Sequence, residues 1–418
     1  MKRKLLRQML NEWSSNIWIV IEFIIVSVVV WYICDYFYVT YSVYNSPLGF
    51  DSSHCYKITF QELTDKSPDF IPDRTYEEQI ADRHTLIDRL RQMPEVEYAS
   101  YSSNSYPYNF NNSNTKLVYS DSVYGNGLQR FADPDFVNVF RYRGINGESS
   151  EQLAEEMKQG KYLVSENFFV RYSVDDTEHS LSKLDKNKIY SDNDSTIGEK
   201  IGTPVIPVRY SDNSNWSKFM LASTAIYGDE GVMGTNELCI RVKDNMDKDI
   251  VEKIMKEGLN RFHVGNYIIT DVTSFDDLRD NFLREDNEKI RNYCVGMGFL
   301  LLNIFLGLLG TFWFRTQQRV QEVALRKVTG ATSTEVFTRL ISEGLIMLAI
   351  ATPFAVAIDI VITHYELNQY LDGYLVWNRL AICAIATFCF MALMVVAGIL
   401  FPAMIAKRVQ PAEALKDE

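Results

Sequence analysis

Four long stretches of apolar residues constrain what this chain can fold into. Each stretch is long enough, at about 1.5 Å per residue, to cross the roughly 30 Å hydrocarbon core of a bilayer as a helix. The second and fourth contain no charged residue, which is not typical of a soluble core. We therefore predict an α-helical membrane protein with four transmembrane helices, which excludes a soluble enzyme. The stretches are Ile17–Cys34, Tyr293–Phe314, Leu340–Thr363 and Leu380–Ile405.

Charge predicts the topology of these helices. Residues 41–290 carry 28 Lys and Arg against 42 Asp and Glu, a net charge of −14, while the other residues have a net charge of +2. Lys and Arg concentrate on the cytoplasmic side of membrane proteins. The basic residues beside the apolar stretches therefore place two segments in the cytoplasm and residues 41–290 outside. They are Lys2, Arg3, Lys4 and Arg7 before the first stretch, and Arg315, Arg319, Arg326, Lys327 and Arg339 between the second and third.

The predicted organisation is that of a multi-pass protein of the cytoplasmic (inner) membrane with both termini inside. A cleavable signal peptide is the alternative for the first stretch, but Cys34, Asp35 and Tyr36 follow it where a small-residue cleavage site is expected. The segments are 1–16 (cytoplasmic), 17–40 (transmembrane), 41–290 (extracytoplasmic), 291–314 (transmembrane), 315–339 (cytoplasmic), 340–363 (transmembrane), 364–379 (external loop, with Arg379 as its one basic residue), 380–405 (transmembrane) and 406–418 (cytoplasmic tail).

The extracytoplasmic block is predicted to be a mixed α+β domain inserted between helices 1 and 2. Alternating apolar residues indicate strands, and an apolar period of three to four residues indicates helices. The segment Tyr101–Asn114 is interpreted as a loop and Asp175–Asn193 as an exposed insertion, while Ala132–Phe140 is rich in turn-forming residues. The predicted strands are Cys55–Leu63, Val96–Ser102, Lys116–Tyr119, Glu237–Val242 and Tyr267–Val272, and the predicted helices are Glu77–Met93 and Asp247–Phe262.

Two further features of this block leave alternatives open. Cys55 and Cys239 are its only cysteines, and a disulfide between them is conceivable in an oxidising compartment. Ser274–Arg291 has the pattern of an amphipathic helix that continues into the second membrane helix without a proline. It is either a continuous rod or a simple linker helix.

The segment between the second and third apolar stretches predicts a helix, a tight turn and a second helix. Val323 and Val328 fall on one helical face, and Gly330 is placed to end this helix in a left-handed cap. Thr332 with Glu335 three residues later matches a capping box that begins the next helix. The segment either docks a partner protein or lies on the lipid headgroups.

Ionisable residues inside the apolar stretches are costly and therefore informative. Glu22 lies in the first stretch. We expect it to face another helix, where it pairs with a basic residue, or to extend to the interface. Asp359 is expected to reach water at the outer end of the third stretch, and Glu343 lies near its inner end.

The sequence contains no recognisable catalytic or metal-binding motif. The five histidines are scattered, no Gly-x-Ser-x-Gly or His-Glu-x-x-His occurs, and no Cys/His set has metal-site spacing. A phosphate-binding GxxxxGK[ST] motif is also absent from the sequence. We predict no enzyme activity, no catalytic residue, no bound metal and no cofactor in this chain. Its acidity also argues against a nucleic-acid partner.

Several segments resemble the permease subunits of the MacB/FtsX group of ABC transporters. In the cytoplasmic part these are EVALRKVTGAT (Glu322–Thr332) and PAEALK (Pro411–Lys416). In the external part ADPDFVNVF (Ala132–Phe140), YLVSENFF (Tyr162–Phe169) and STIGEKI (Ser195–Ile201) are similar to parts of the MacB-like periplasmic core domain. The order of one helix, a large external domain and three helices is also that of the group.

The resemblance implies a function in mechanotransmission or transport. Members of the group form dimers and contact a separate ATPase through the cytoplasmic segment, whose counterparts here are Glu322, Val323, Leu325, Arg326, Lys327 and Gly330. ATP and Mg are then expected in the partner ATPase. The implied partners are that ATPase, a second copy or a related permease, membrane lipids and a periplasmic or outer-membrane protein.

Three functions remain open at this point. The first is export or mechanical work on periplasmic material, driven by the ATPase. The second is an FtsX-like signalling scaffold that activates an extracytoplasmic cell-wall hydrolase. The third is a ligand sensor that performs no ATP-driven work. Residues 101–114 and 181–193 differ from the group and are expected to meet a ligand or external partner.

Overall fold

The computed structural model describes residues 13–120, 122–171, 178–191, 196–223, 237–257, 261–318, 325, 328–368 and 376–408. The chain divides into two compact units. One consists of Met1–Ser42 together with Asn287–Glu418, and the other of Val43–Asp286. They are called the membrane unit and the sheet domain below.

Eight α-helices and nine strands are found in the described ranges. In chain order they are α1 (Trp13–Tyr44), β1 (Cys55–Glu62), α2 (Tyr76–Arg91), β2 (Val96–Ser103), β3 (Asn114–Tyr119), β4 (Val123–Ala132), α3 (Phe136–Val139), α4 (Ser150–Lys158), β5 (Leu163–Val164), β6 (Ile189–Ser191), β7 (Phe219–Ser223), β8 (Glu237–Val242), α5 (Ile250–Glu257), β9 (Tyr267–Ser274), α6 (Phe275–Gln318), α7 (Ser333–His364) and α8 (Trp377–Arg408). Short 3₁₀ turns at Leu181–Lys183, Lys186–Lys188 and Gly198–Lys200 complete the set.

Within the described part of the chain, four helices are long and apolar enough to cross a membrane, namely α1, α6, α7 and α8. Their buried faces form one apolar core, to which Phe23, Phe312, Met347 and Val395 contribute one residue from each helix. The rings of Phe23 and Phe312 lie 6.1 Å apart. The prediction of an α-helical membrane protein with four such helices and an inserted mixed α+β domain is therefore confirmed.

Close packing of α7 against α8 depends on a glycine. A Cβ atom at Gly344 would lie 2.5 Å from the Cδ1 atom of Ile399 and 2.9 Å from the Cγ1 atom of Val395. Small residues allow membrane helices to approach closely. Gly344 thus fixes where these two helices meet.

The sheet domain is built on one mixed sheet. Its described strands follow the order β5-β7-β4-β2-β8-β1-β9, with β3 beside β4 and β6 beside β3. The pairing of β4 with β7 is parallel, and the other strand pairings are antiparallel. Because helices connect the strands of this sheet, the sequence of residues 41–290 contains both strand patterns and helix patterns.

Both faces of the central strands are covered. In β8, Leu238 and Ile240 belong to one apolar core, and Cys239 points to the other. Helices α2 and α5 supply Leu90 and Ile254 to the first core. Side chains from α3 and α4 and from the first residue of α6 fill the second. A strand that is buried on both faces loses the alternation of a half-buried strand.

Some elements of this domain differ from the sequence prediction. Strands β4 and β7 and helix α4 were not predicted. Strand β4 contains Gly125 and Gly127, and glycine weakens the pattern of a strand. The structure supplies the reason for these glycines: a Cβ atom at either position would lie 2.5 Å from the ring of Phe168. The turn-rich segment Ala132–Phe140 contains the short buried helix α3, which was not predicted.

The prediction of an exposed insertion at Asp175–Asn193 is wrong for two apolar residues of its described part. Leu181 and Ile189 are fully buried and pack in a core with Val164 and Phe168. In the sequence these two residues are flanked by polar residues, and their contribution to the core was therefore not apparent. Residues 172–177 and 192–195 of this segment lie outside the described residues.

The structure places Cys55 and Cys239 on neighbouring strands as free thiols. In the register of β1 and β8, Cys55 lies opposite Arg241 and Cys239 lies opposite Lys57, so the two cysteines are offset along the strands. Burial raises the pKa of the Cys55 thiol to about 12 and that of Cys239 well above its usual value. Both side chains therefore behave as small apolar groups.

Candidate functional site

The turn between α6 and α7 is the first candidate site. Gly330 has φ +100°, a conformation that residues with a side chain rarely adopt. Leu325 and Val328 precede it and are 58% and 60% exposed. Glu322, Val323, Arg326 and Lys327 lie outside the described residues. The role of all these residues in ATPase coupling stays a prediction.

The capping box predicted after this turn is confirmed. The backbone N–H of Glu335 donates to Oγ1 of Thr332 at 3.3 Å, and the N–H of Thr332 donates to Oε2 of Glu335 at 2.9 Å. Val336 is buried against Ala331 and Leu340. The end of the turn is therefore fixed to the first residues of α7.

One turn further along α7, an ion pair lies at the edge of the helix bundle. Nε of Arg339 donates to Oε1 of Glu343 at 3.0 Å, and both side chains are largely buried. Glu343 also lines a cavity of about 20 Å³ together with Phe312 and Thr316 of α6. This volume suffices for about one water molecule.

Glu22 lies half-buried in α1. Oγ1 of Thr311 on α6 donates to its carboxylate, at 3.4 Å from either oxygen. The contact is with a neighbouring helix, as expected for a carboxylate at this depth. The basic residues at positions 2–7 lie outside the described residues, so the pairing of Glu22 with one of them stays a prediction.

A buried polar cluster joins α1 to α8 at the other end of the bundle. Nε of Arg379 donates to Oδ1 of Asp35 at 2.7 Å, and Nη2 donates to Oδ2 at 2.5 Å. The side chain of Asn368 also donates to Oδ2 at 2.9 Å, and its backbone oxygen accepts from Arg379 at 3.0 Å. Asp35 and Arg379 are 0% and 2% exposed.

This cluster was not predicted from the sequence. Arg379 was expected to belong to an external loop, and Asp35 stood out only as a residue unsuited to signal cleavage. A signal was present, because one acidic and one basic residue each border an apolar stretch. Within a membrane, such residues pair with one another. The two sequence positions are 344 residues apart, and their contact could not be read from local pattern.

Buried polar atoms without a hydrogen-bond partner occur near this end of the same helices. Among the described side chains they include Nε1 of Trp31, Oδ1 of Asp359 and the hydroxyls of Thr363 and Thr387. The expectation that Asp359 reaches water is wrong, since it is 3% exposed. The face of α7 that carries Asp359 points toward the other helices of the bundle and not toward the outside.

The sheet domain contains two charged networks of its own. Arg91 of α2 contacts Asp133 and Asp135 at 3.1 and 2.7 Å. Burial raises the pKa of Asp133 to about 7, although Ser100 and Arg91 favour its ionised form. Arg241 is fully buried and donates to the backbone oxygens of Asp51, Ser53 and Val139. These networks join strands to connecting segments.

No metal centre is formed by the residues that the structure describes. No group of three or more His, Cys, Asp or Glu side chains in these ranges could hold a metal ion. His54 contacts Asp247 at 2.5 Å, and Asp247 accepts from the hydroxyl of Tyr56 at 3.0 Å. The prediction that this chain is no enzyme is untested by these observations.

Comparison with known proteins gives a likeness in fold. No protein-family model and no curated protein matches the chain. The periplasmic region of MacB from Actinobacillus actinomycetemcomitans is 9% identical over 55% of this chain and 94% of that one, with a TM-score of 0.29. The extracellular domain of the noncanonic ABC-type transporter YknZ from Gram-positive bacteria is 11% identical over 51% and 100%, with a TM-score of 0.28.

A domain of a putative permease protein from Porphyromonas gingivalis is similar at the same level. It is 13% identical over 53% of this chain and 90% of that one, with a TM-score of 0.32. The class of the protein is defined by its own described residues, which form four apolar helices of membrane-spanning length and a mixed α/β domain after the first helix.

Proposed function

We propose that the chain is the permease subunit of an ABC transporter of the MacB/FtsX type. It couples ATP hydrolysis by a separate ATPase subunit to a conformational change of its extracytoplasmic sheet domain. This change serves export or mechanical work on periplasmic substrates. ATP and Mg bind to the ATPase, and a second copy or a related permease completes the membrane part.

The observation that carries this proposal is the turn at Gly330. Two apolar side chains, Leu325 and Val328, stand exposed beside it, and the Thr332 capping box fixes its end. Exposed apolar residues next to the basic Arg326 and Lys327 fit a protein surface that offers apolar and acidic groups. The resemblance of this segment to the ATPase-coupling segment of the MacB/FtsX group supports the same interpretation.

The first experiment tests docking of the ATPase. The full chain is co-expressed with an ABC ATPase encoded beside it, and the complex is purified through the permease. Arg326→Glu is expected to lower the recovery of ATPase roughly tenfold, because it reverses one charge at the contact. Arg284→Glu makes the same change at an exposed position of the sheet domain and serves as the matched control. Equal recovery with both variants would refute the role of Arg326.

A second experiment tests the orientation in the membrane. Tyr124 in the sheet domain and Leu325 in the turn are both exposed and are replaced singly by cysteine. A membrane-impermeant maleimide applied to spheroplasts is expected to label Tyr124→Cys only. Labelling of both from the same side would contradict a cytoplasmic turn and, with it, the proposed coupling.

ATP turnover distinguishes transport from the signalling alternative. Stimulation of ATP hydrolysis by periplasmic peptides, lipids or lipoproteins would support transport. Activation of a cell-wall hydrolase without such stimulation would favour the FtsX-like scaffold. Absence of ATPase binding would contradict both and leave a ligand sensor.

A further inference from the structure

A small cavity lies in the sheet domain beside the end of β4. Its volume of about 20 Å³ suffices for one group of the size of a water molecule. Its wall contains two arginines, three hydroxyl side chains and no acidic residue. The lining residues are Phe50, Ser105, Pro107, Leu128, Arg130, Tyr142, Val208, Arg209, Tyr210 and Phe219.

Arg130 is the unusual member of this wall. It lies on the same side of β4 as the core residues Leu128 and Ala132, because side chains alternate along a strand. It is only 8% exposed, and Nη1 donates to the backbone oxygen of Asn104 at 2.9 Å. Burial lowers the pKa of Arg130 from its usual value. Its positive charge is thus held largely out of water.

No carboxylate of the described residues forms an ion pair with Arg130. The charge of Glu237 acts on it, but from beyond the distance of an ion pair. The carboxylate of Glu237 is engaged elsewhere, since Oε2 accepts from Oγ of Ser102 at 2.9 Å and from the N–H of Ser105 at 3.0 Å. Burial also raises the pKa of Glu237 from its usual value. A buried cation without a paired anion is costly.

The other polar groups of the wall favour an anion as well. Arg209 is held in place by the backbone oxygens of Ser46, Asp212 and Ser214, at 2.7, 2.8 and 2.8 Å. Burial raises the pKa of the phenols of Tyr142 and Tyr210, so both remain protonated and able to donate a hydrogen bond.

We propose that this cavity binds the carboxylate group of an organic ligand. Arg130 supplies the opposite charge, and the hydroxyl of Tyr142 supplies a further donor. The cavity holds one oxygen atom of the carboxylate, and the rest of the ligand lies beside Phe50 and Tyr210, which are only partly buried. The proposal goes beyond the permease function, because binding here requires neither the ATPase nor ATP.

The test uses the full chain in lipid nanodiscs without an ATPase. Saturation-transfer NMR compares N-acetylalanine, which carries a carboxylate, with its neutral amide at equal chloride concentration. Transfer to the acid and none to the amide is expected. Equal transfer to both, or to neither, would mean that the cavity holds only water and would overturn the proposal. Displacement of the acid by an equal concentration of inorganic phosphate would also overturn it, since the site would then be one for anions in general and not for a carboxylate.

Two variants show whether the signal comes from this cavity. Arg130→Met is expected to weaken binding of N-acetylalanine roughly tenfold or more, because a hydrogen bond to a charged group is lost. Arg284→Met removes an exposed arginine of the same domain and should leave binding unchanged. If Arg130→Met does not fold, Tyr142→Phe tests the same wall by removing only a hydroxyl. Unchanged affinity in every folded wall variant would refute the site.

A comparison of propionate with N-acetylalanine then identifies the kind of molecule that carries the carboxylate. Tighter binding of propionate would indicate a small organic acid, and tighter binding of N-acetylalanine would indicate the C terminus of a peptide. Either result supports a carboxylate site. Failure of the ATPase experiments would leave this result unaffected, so the two proposals are tested separately.

Discussion

Arg379 and Asp35 form a two-point ion pair between the fourth and first membrane helices, with nitrogen–oxygen distances of 2.7 and 2.5 Å. Both side chains are buried, and Asn368 adds a third hydrogen bond to the carboxylate. Removal of one partner leaves the other as an uncompensated buried charge. The pair therefore constrains how α1 and α8 pack.

The first prediction concerns this pair. Arg379→Gln or Asp35→Asn alone is expected to lower the free energy of unfolding by about 3–5 kcal/mol. The double variant should lose less than the sum of the two, because no buried charge remains unpaired. Thermal unfolding in detergent measures this. Arg291→Gln, at an exposed position of α6, is the control. Additive losses in the double variant would contradict the pairing.

The second prediction concerns the fully buried Arg241. Its guanidinium group donates to three backbone oxygens, those of Asp51, Ser53 and Val139. Arg241→Met leaves these acceptors without a donor and should lower the free energy of unfolding by about 3 kcal/mol or more. Arg241→Lys should restore little of it, since an ammonium group lacks the forked geometry.

Chemical denaturation of the full chain, followed by tryptophan fluorescence, measures this loss. Lys243→Met is the matched control, because Lys243 is a neighbouring exposed residue that donates to a single backbone oxygen. A change of under about 1 kcal/mol is expected there. If Arg241→Lys were as stable as the original protein, the forked geometry of the guanidinium group would not be needed.

The third prediction concerns pH. Burial raises the pKa of Asp133 to about 7 in the folded protein, above the value of about 3.9 in an unfolded chain. The folded state therefore binds this proton more tightly. The stabilisation from Asp133 is complete below about pH 4 and is lost as the pH rises through about 7. Asp133→Asn should remove this part of the pH dependence.

Denaturant titrations at pH 4, 5.5, 7 and 8 check this expectation. Asp88→Asn is the control, because it also removes a carboxylate near Arg91 but at an exposed position. An unchanged pH profile for Asp133→Asn would show that this carboxyl group titrates normally.

The fourth prediction concerns Gly330, whose φ of +100° strains any L-residue. A Cβ atom there would meet nothing within 4 Å, so Gly330→Ala acts only through the backbone. The strain of about 1–3 kcal/mol should shift the turn and reduce co-purification of the ATPase, while membrane insertion is unchanged. Gly296→Ala in α6 also meets nothing within 4 Å and is the control. Full ATPase recovery with Gly330→Ala would show that this conformation is not needed.

The membrane helices and several strands were predictable because their signals are local. Strand Glu237–Val242 was predicted with its observed bounds, and the capping box at Thr332 with its observed partner. Strand β4 was not predictable, because its glycines are needed to make room for the ring of Phe168, which is distant in the sequence. The same holds for Arg130, whose burial depends on segments distant in sequence.

The order of the strands also has a consequence for biogenesis. Strand β1 directly follows the first membrane helix, but both of its neighbours, β8 and β9, are encoded near the end of the domain. Until residue 237 has been synthesised, β1 has two open hydrogen-bonding edges and an uncovered apolar face, and one of these edges stays open until β9 is complete at residue 274. A nascent chain halted between residues 62 and 237 is thus a substrate for chaperones and proteases, and folding of the sheet domain awaits translation of nearly all of it.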